Sequence, residues 1–258
     1  MAAPSPTAIS ELKQALGPKG WSEDADTLAP YLREWRDRWK GHTPLLLQPG
    51  STAEVAAAVA ICARHRVAIT PQGGNTGLVG GQIPMGEVLL TTRRLRAIRD
   101  VSPLDDALTV EAGVTLYEAQ QAALAVQRRF PLSLASEGTA TVGGVLSTNA
   151  GGTSVLRYGM ARDLVLGIEA VLADGRVFNG LKRLRKDNTG YHLKQLLIGA
   201  EGTLGIITAA TLKLSPVLRG RATAMVGLDT PQQAVALLAR AKAESGGGVE
   251  AFELMKRL

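Results

Sequence analysis

Glu137-Gly-Thr-Ala-Thr-Val-Gly-Gly-Val-Leu-Ser-Thr-Asn-Ala-Gly-Gly-Thr-Ser-Val-Leu-Arg-Tyr-Gly159 is the stretch around which this sequence is organised. Gly138, Gly143, Gly144, Gly151, Gly152 and Gly159 let the backbone turn sharply and approach a neighbour closely. Thr139, Thr141, Ser147, Thr148 and Thr153, with Asn149, add neutral donors and acceptors. Within the stretch no acidic residue follows Glu137. Two readings fit: tight turns in a Gly-rich β protein, or a backbone wall around a large, partly charged ligand.

Outward from this stretch, composition narrows the class. The 258 residues are 45% hydrophobic, enough for one large domain or two modest ones with a real core. Aromatics are scarce at 4% and glycine is abundant at 29 residues, so packing relies on small residues. The net charge of +6 is local. Arg93, Arg94, Arg96 and Arg99 form one basic group, read as a solvated face; Lys182, Arg183, Arg185 and Lys186 form another. Neither is interleaved with aromatics, so a nucleic-acid groove is not expected. Cys62 is the single cysteine and reads as a small core residue. No run of about 18 apolar residues spans a membrane. The N-terminus has neither a secretory nor a transit pattern, which gives a cytoplasmic expectation.

Along the chain, Ile9–Leu16 reads as a helix with Ser10 as its cap, and Tyr31–Lys40 as a turn-rich segment or a surface helix. Leu45–Leu47 is a strand, Ser51–Glu54 a capping box opening a helix, and Val67–Thr70 a second strand. That βαβ unit places its strands parallel. Val88–Thr91 and Leu108–Ala112 are further strands, and Thr115 opens a helix through Leu124. Leu164–Leu172 and Arg176–Phe178 form a hairpin across Ala173-Asp-Gly175. Ile206–Leu214 is a strand closed by Pro216. Beyond it, Ala222–Leu228 and Val249–Met255 read as strands flanking a helix over Pro231–Ala243, with Val235 and Leu238 inward.

A second glycine-rich segment, Pro71-Gln-Gly-Gly-Asn-Thr-Gly-Leu-Val-Gly-Gly81, follows a strand. Its amides can form an anion nest. It lacks the Gly-Lys-Ser/Thr of a P-loop, and Gly74-Asn-Thr-Gly77 breaks the dinucleotide fingerprint. Without lysine it must use amides, Asn75 and Thr76, which suits a pyrophosphate that is held rather than transferred. The only histidines, His42, His65 and His192, are not at metal-ligand spacing, and no Gly-x-Ser-x-Gly elbow exists. His65, at a helix end, suits a helix-dipole role. Cradling loops with few acids and bases fit a cofactor that carries the chemistry.

Four segments in order, 71–81, Ser147-Thr-Asn-Ala-Gly-Gly152, Leu156-Arg-Tyr-Gly159 and Gly199-Ala-Glu-Gly-Thr-Leu-Gly-Ile-Ile-Thr208, resemble the FAD-linked oxidases of the vanillyl-alcohol oxidase/p-cresol methylhydroxylase type. Lys186-Asp-Asn-Thr-Gly-Tyr191 resembles the D-2-hydroxyglutarate dehydrogenase branch, with D-lactate dehydrogenases nearby. The resemblance implies an α+β fold: a helical segment over 1–39 and an FAD-binding domain over 40–216, in two subdomains near 40–100 and 104–216. An incomplete substrate domain begins at 221–258, since Phe252-Glu-Leu-Met255 resembles its first strands.

The resemblance also implies a cofactor site. Pro71, Gly73, Gly74, Asn75, Thr76, Gly77, Leu78 and Gly80 would hold the pyrophosphate. Gly138, Thr139, Ala140, Thr141, Gly143, Gly144, Ser147, Thr148, Asn149, Gly152 and Gly159 would line pyrophosphate, ribityl chain and isoalloxazine. Glu201, Gly202, Gly205 and Ile207 would close the adenine or ribose side. Some relatives attach FAD through a histidine where this chain has Asn75, so non-covalent FAD is expected. The implied reaction takes a hydride equivalent from a D-2-hydroxy acid. No catalytic residue is assigned. The base and a divalent metal such as zinc would belong to a C-terminal domain, so turnover by these residues alone is not expected. The alternatives are a non-catalytic FAD-binding module that needs a separate subunit and a nicotinamide-linked reductase on the same fold. The electron acceptor stays open, and a homodimer is compatible. His192 departs from the branch motif, which usually continues Gly-Tyr-Asp. Arg185 with Lys186 reads either as charge near the substrate carboxylate or as a solvated loop.

Overall fold

The computed structural model describes residues 4–255. Helix α1 (Pro6–Leu16) starts one turn earlier than expected, because Ser5 rather than Ser10 caps it and Pro6 presets its first φ. Strand β1 (Trp21–Ser22) follows, then the short helix α2 (Ala25–Leu28). Tyr31–Lys40 takes the turn-rich alternative, after a 3-10 turn at Ala29–Tyr31. Strand β2 (Leu46–Leu47) leads into α3 (Thr52–His65), then β3 (Ile69–Gln72) and β4 (Val88–Thr91). Ser51 caps α3 through Glu54 N–H, but the Glu54 carboxylate accepts from Gly50 N–H at 2.7 Å, not from Ser51, so the capping box is shifted by one residue.

The first sheet has the order β1-β2-β4-β3. The βαβ strands β2 and β3 are parallel but not neighbours; β4 lies between them and pairs in parallel with both. Leu12 and Leu16 of α1 and Val55, Val59 and Cys62 of α3 pack into its core, and β1 adds an antiparallel edge. The N-terminal segment is therefore built into the first sheet.

The second sheet starts with β5 (Ile98–Ser102) and β6 (Ala107–Glu111). Helix α4 (Leu116–Ala125) carries a complete capping box between Thr115 and Glu118. Next come β7 (Arg128–Arg129), α5 (Val142–Ser147), α6 (Val155–Tyr158), β8 (Val165–Leu172), β9 (Val177–Asn179) and α7 (Lys194–Leu197). Strand β10 (Gly205–Lys213) completes it, and β11 (Ser215–Pro216) follows. The order is β5-β6-β10-β8-β9, antiparallel throughout, with β7 and β11 as a separate pair. The expected hairpin is present, turning at Gly175 with φ +88°.

Helix α8 (Pro231–Glu244) follows. Residues 222–228 and 249–255 are not strands, and Val235 is 70% exposed rather than inward. Among the described residues no sheet edge pairs with these segments, and β-propensity alone does not hold an isolated strand.

A buried carboxylate ties the two sheets together. Glu169, on β8 and 7% exposed, accepts from Thr52 Oγ1 at the start of α3 (2.7 Å) and Thr208 Oγ1 on β10 (2.9 Å). Arg99 of β5 donates to both its oxygens, at 3.1 and 3.3 Å, and also to Glu111. The first basic group is exposed, as expected of a solvated face, but it is also engaged: Arg99 is in this network, and Arg94 donates to the Lys19 and Gln48 carbonyls. Burial pushes the Glu169 carboxyl up, but hydrogen bonds from Arg99, Thr52 and Thr208 outweigh it and hold the group below its ordinary value. A depressed folded-state value stabilises the fold above the unfolded carboxylate value, about 4.3, and that stabilisation is lost as pH falls through the lower folded value. We expect Glu169→Gln to destabilise by about 2–4 kcal/mol at neutral pH in urea unfolding. The deficit relative to wild type should shrink as pH drops below about 4.

Candidate functional site

Between the sheets lies a cavity of about 370 Å³. Its walls are the loop after β3, helix α5 with its flanking turns, and the turn at 201–202 leading into β10. Loops at the carboxyl ends of parallel strands are the usual ligand face of such a sheet. The loop cannot continue as a strand, because Asn75 takes the left-handed conformation at φ +57°.

The loop is held from behind. Asn75 Nδ2 donates to the Pro30 carbonyl at 3.1 Å and the Arg33 carbonyl at 2.7 Å, and Asn75 Oδ1 accepts from Gln82 at 3.2 Å. Gln82 also donates to the Gly77 carbonyl at 2.7 Å, and Gln72 donates to the Tyr31 and Gln82 carbonyls, both at 2.9 Å. The Asn75 amide group is therefore committed to the scaffold. Among the described residues, no protein acceptor meets the backbone N–H groups of Gly74 to Val79. A run of unpaired amides at a bend is the geometry of an anion nest.

The opposite wall comes very close. A Cβ on Gly74 would overlap the Thr139 carbonyl, and one on Gly73 would overlap Thr141 Oγ1. Thr141 itself caps α5 by accepting from Gly144 N–H at 3.4 Å. Apolar side chains at Val145, Ile206 and Ile207 and polar ones at Ser147 and Thr148 complete the lining. Among the described residues Glu201 is the one ionisable side chain on it. The buried Gln72 Oε1 and Thr92 Oγ1 have no hydrogen-bond partner, and both residues belong to the cavity wall. Because Nε2 of Gln72 faces two carbonyls, the orientation of its amide is fixed by the network.

Of the expected cofactor residues, the structure brings Pro71, Gly73, Gly74, Asn75, Thr76, Gly77 and Leu78 to the cavity. It also brings Ala140, Thr141, Gly143, Gly144, Ser147, Thr148, Glu201, Gly202 and Ile207. Seven others do not line it. Gly80 packs under the Trp39 ring, Gly138 has open space around it, and the Thr139 hydroxyl donates to the Ser136 carbonyl. Asn149 Oδ1 accepts from Arg162 N–H, Gly152 lies against Ser133, Gly159 caps α6 and Gly205 begins β10. The cavity also uses Gln72, Gln82, Thr92, Leu134 and Ser136. Gln72 and Gln82 lie within or beside the glycine segment, a usable signal. Thr92 is reached only through the pairing of β4 with β3.

Among the described residues no histidine is on the lining: His65 meets Glu11 at 3.1 Å and His192 meets the Asp187 carbonyl at 3.0 Å. Among the described residues there is no group of three His, Cys, Asp or Glu side chains placed to hold a metal. Likewise no described helix is long and apolar enough to cross a membrane. The second basic group is largely paired: Lys182 with Asp187, Arg183 with Asp100 and Arg185 with Asp106.

A family described as "FAD binding domain" matches residues 43–180. The chain belongs to this family. It is 38% identical to the D-2-hydroxyglutarate–pyruvate transhydrogenase of Saccharomyces cerevisiae over 92% of this chain and 48% of that protein. It is 40% identical to the mitochondrial D-2-hydroxyglutarate dehydrogenase of Bos taurus over 90% of this chain and 43% of that one. The chain thus spans under half the length of either relative. A solved alkyldihydroxyacetonephosphate synthase shares the fold, with a TM-score of 0.74 at 24% identity over 85% of this chain and 42% of that one. The resemblance to the vanillyl-alcohol oxidase/p-cresol methylhydroxylase type holds, as does the α+β fold that it implied.

The residues present fit FAD: unpaired amides for a pyrophosphate, an apolar wall for a ring and orphaned polar groups in the wall. Gly74→Ala should destabilise by about 1–3 kcal/mol through its backbone clash and abolish FAD uptake. Gly138→Ala, with open space at its Cβ, should change stability by less than about 0.5 kcal/mol. Thermal melts with and without FAD measure both.

Proposed function

We propose that this chain is the FAD-binding part of a D-2-hydroxy-acid dehydrogenase acting on a substrate such as D-2-hydroxyglutarate or D-lactate. The observation that carries the reading is the run of unpaired N–H groups from Gly74 to Val79, on the cavity of a chain that belongs to an FAD-binding family. When bound, FAD supplies the two-electron acceptor for oxidising the hydroxy acid to a 2-oxo acid.

The chain's own residues bind and orient. The amides of 74–79 receive the pyrophosphate, and Thr141 fixes the start of α5 opposite them. Val145, Ile206 and Ile207 keep water from an apolar ring. We read FAD as held non-covalently, because Asn75 stands where some relatives carry the histidine that attaches it, and among the described residues no histidine, cysteine or tyrosine lines the cavity. The domain boundaries follow the same reading: FAD binding over 40–216 and the beginning of a substrate domain at 221–258. Substrate carboxylates, a base and a metal such as zinc call for groups that this cavity lacks, and we place them in the remainder of a longer protein. The near absence of ionisable groups from the lining also supports a second reading, a non-catalytic FAD module completed by a separate subunit.

The purified chain should be yellow and release its flavin into the supernatant on acid precipitation. Colourless protein that takes up no added FAD would refute the proposal. With the full-length protein, anaerobic D-2-hydroxyglutarate or D-lactate should bleach the flavin absorbance while the L enantiomer does not. Failure of all D-2-hydroxy acids to bleach a flavin-loaded full-length protein favours the module.

A further inference from the structure

Gly73 and Gly74, which open the loop, permit two orientations of the peptide units they flank. With no side chain to obstruct it, such a unit can rotate so that its carbonyl, instead of an N–H, faces the cavity. A carbonyl turned inward would oppose an anion with like partial charge. The loop therefore needs a group that holds these carbonyls outward.

Arg93, two residues beyond β4, is placed to do this. Its Nε donates to the Gly73 carbonyl at 3.3 Å and its Nη2 to the Gly74 carbonyl at 3.2 Å. The guanidinium lies over the Tyr31 ring, 5.1 Å from the centroid. The Tyr31 carbonyl accepts from Gln72, and the neighbouring Pro30 and Arg33 carbonyls accept from Asn75. One planar cation thus connects the end of β4, the opening of the loop and the 30–33 segment that backs it. Arg93 is not part of the cavity wall, so its action is through the backbone.

We propose that Arg93 is a positioning residue for the cofactor, holding the Gly73 and Gly74 carbonyls outward so that the loop amides face the pyrophosphate. The proposal rests on the flavin reading of this cavity and adds the residue that sets its polarity. Two adjacent carbonyls are matched by the guanidinium fork; a lysine ammonium is a point charge without that geometry.

The test is FAD titration of the 258-residue protein by flavin fluorescence, for wild type, Arg93→Met and Arg93→Lys, with melting of the FAD-free proteins alongside. Both variants should bind FAD about tenfold more weakly, as expected for loss of two charge-assisted hydrogen bonds that orient the site. Their FAD-free melting temperatures should stay close to wild type. Full recovery of affinity in R93K would overturn the proposal in favour of charge alone. Wild-type affinity in R93M would overturn it outright, and a large fall in FAD-free melting temperature would assign Arg93 to folding instead. If the wild-type protein binds no FAD, the flavin reading itself falls, a result distinct from all of these.

Discussion

Backbone N–H groups that find no acceptor among the described residues are the constraint on which this structure turns. A helix or sheet would have satisfied the amides from Gly74 to Val79 internally. Here the chain instead places the left-handed Asn75 three residues after the end of β3 and ties the loop to its scaffold through side chains. Asn75 and Gln72 donate to carbonyls of the 30–33 segment and Gln82 to the Gly77 carbonyl, so side chains tie the loop to its scaffold while its own N–H groups from Gly74 to Val79 meet no acceptor among the described residues. The polarity of the cavity follows from that division more than from any charged side chain.

The second sheet serves the same end by supplying a stiff opposite wall. Its antiparallel order buries β10 between β6 and β8, and the turn entering β10 brings Glu201 and Gly202 to the cavity. Glu169 then fixes the distance between the walls, because Thr52 belongs to the first lobe while Thr208 and Arg99 belong to the second. Had Glu169 lost these donors, a buried carboxylate would have favoured separation of the lobes.

Much of this was legible in sequence where local chemistry decides structure. Thr115 with Glu118, the glycine run at 73–81 and the hairpin turn at Gly175 each announce a geometry that the structure contains. The segments that misled are those whose state depends on a distant partner. Residues 222–228 and 249–255 have strand-like composition but no adjacent edge, and Val235 has no surface against which to be buried. Arg94 and Arg99 look like solvated charge because their acceptors are remote: Lys19 and Gln48 for one, Glu169 for the other. The insertion of β4 between β2 and β3 is invisible for the same reason.

That inserted strand has a consequence for how the protein is made. The interior of the first sheet cannot assemble in the order of synthesis, because β2 and β3 have no hydrogen-bonding contact with each other and both wait for β4. When β4 docks, it closes the glycine loop, which joins β3 to β4, in the same event. The first lobe therefore acquires its central strand and its ligand-facing loop together, on the ribosome or in refolding. A chain interrupted before residue 88 would have neither.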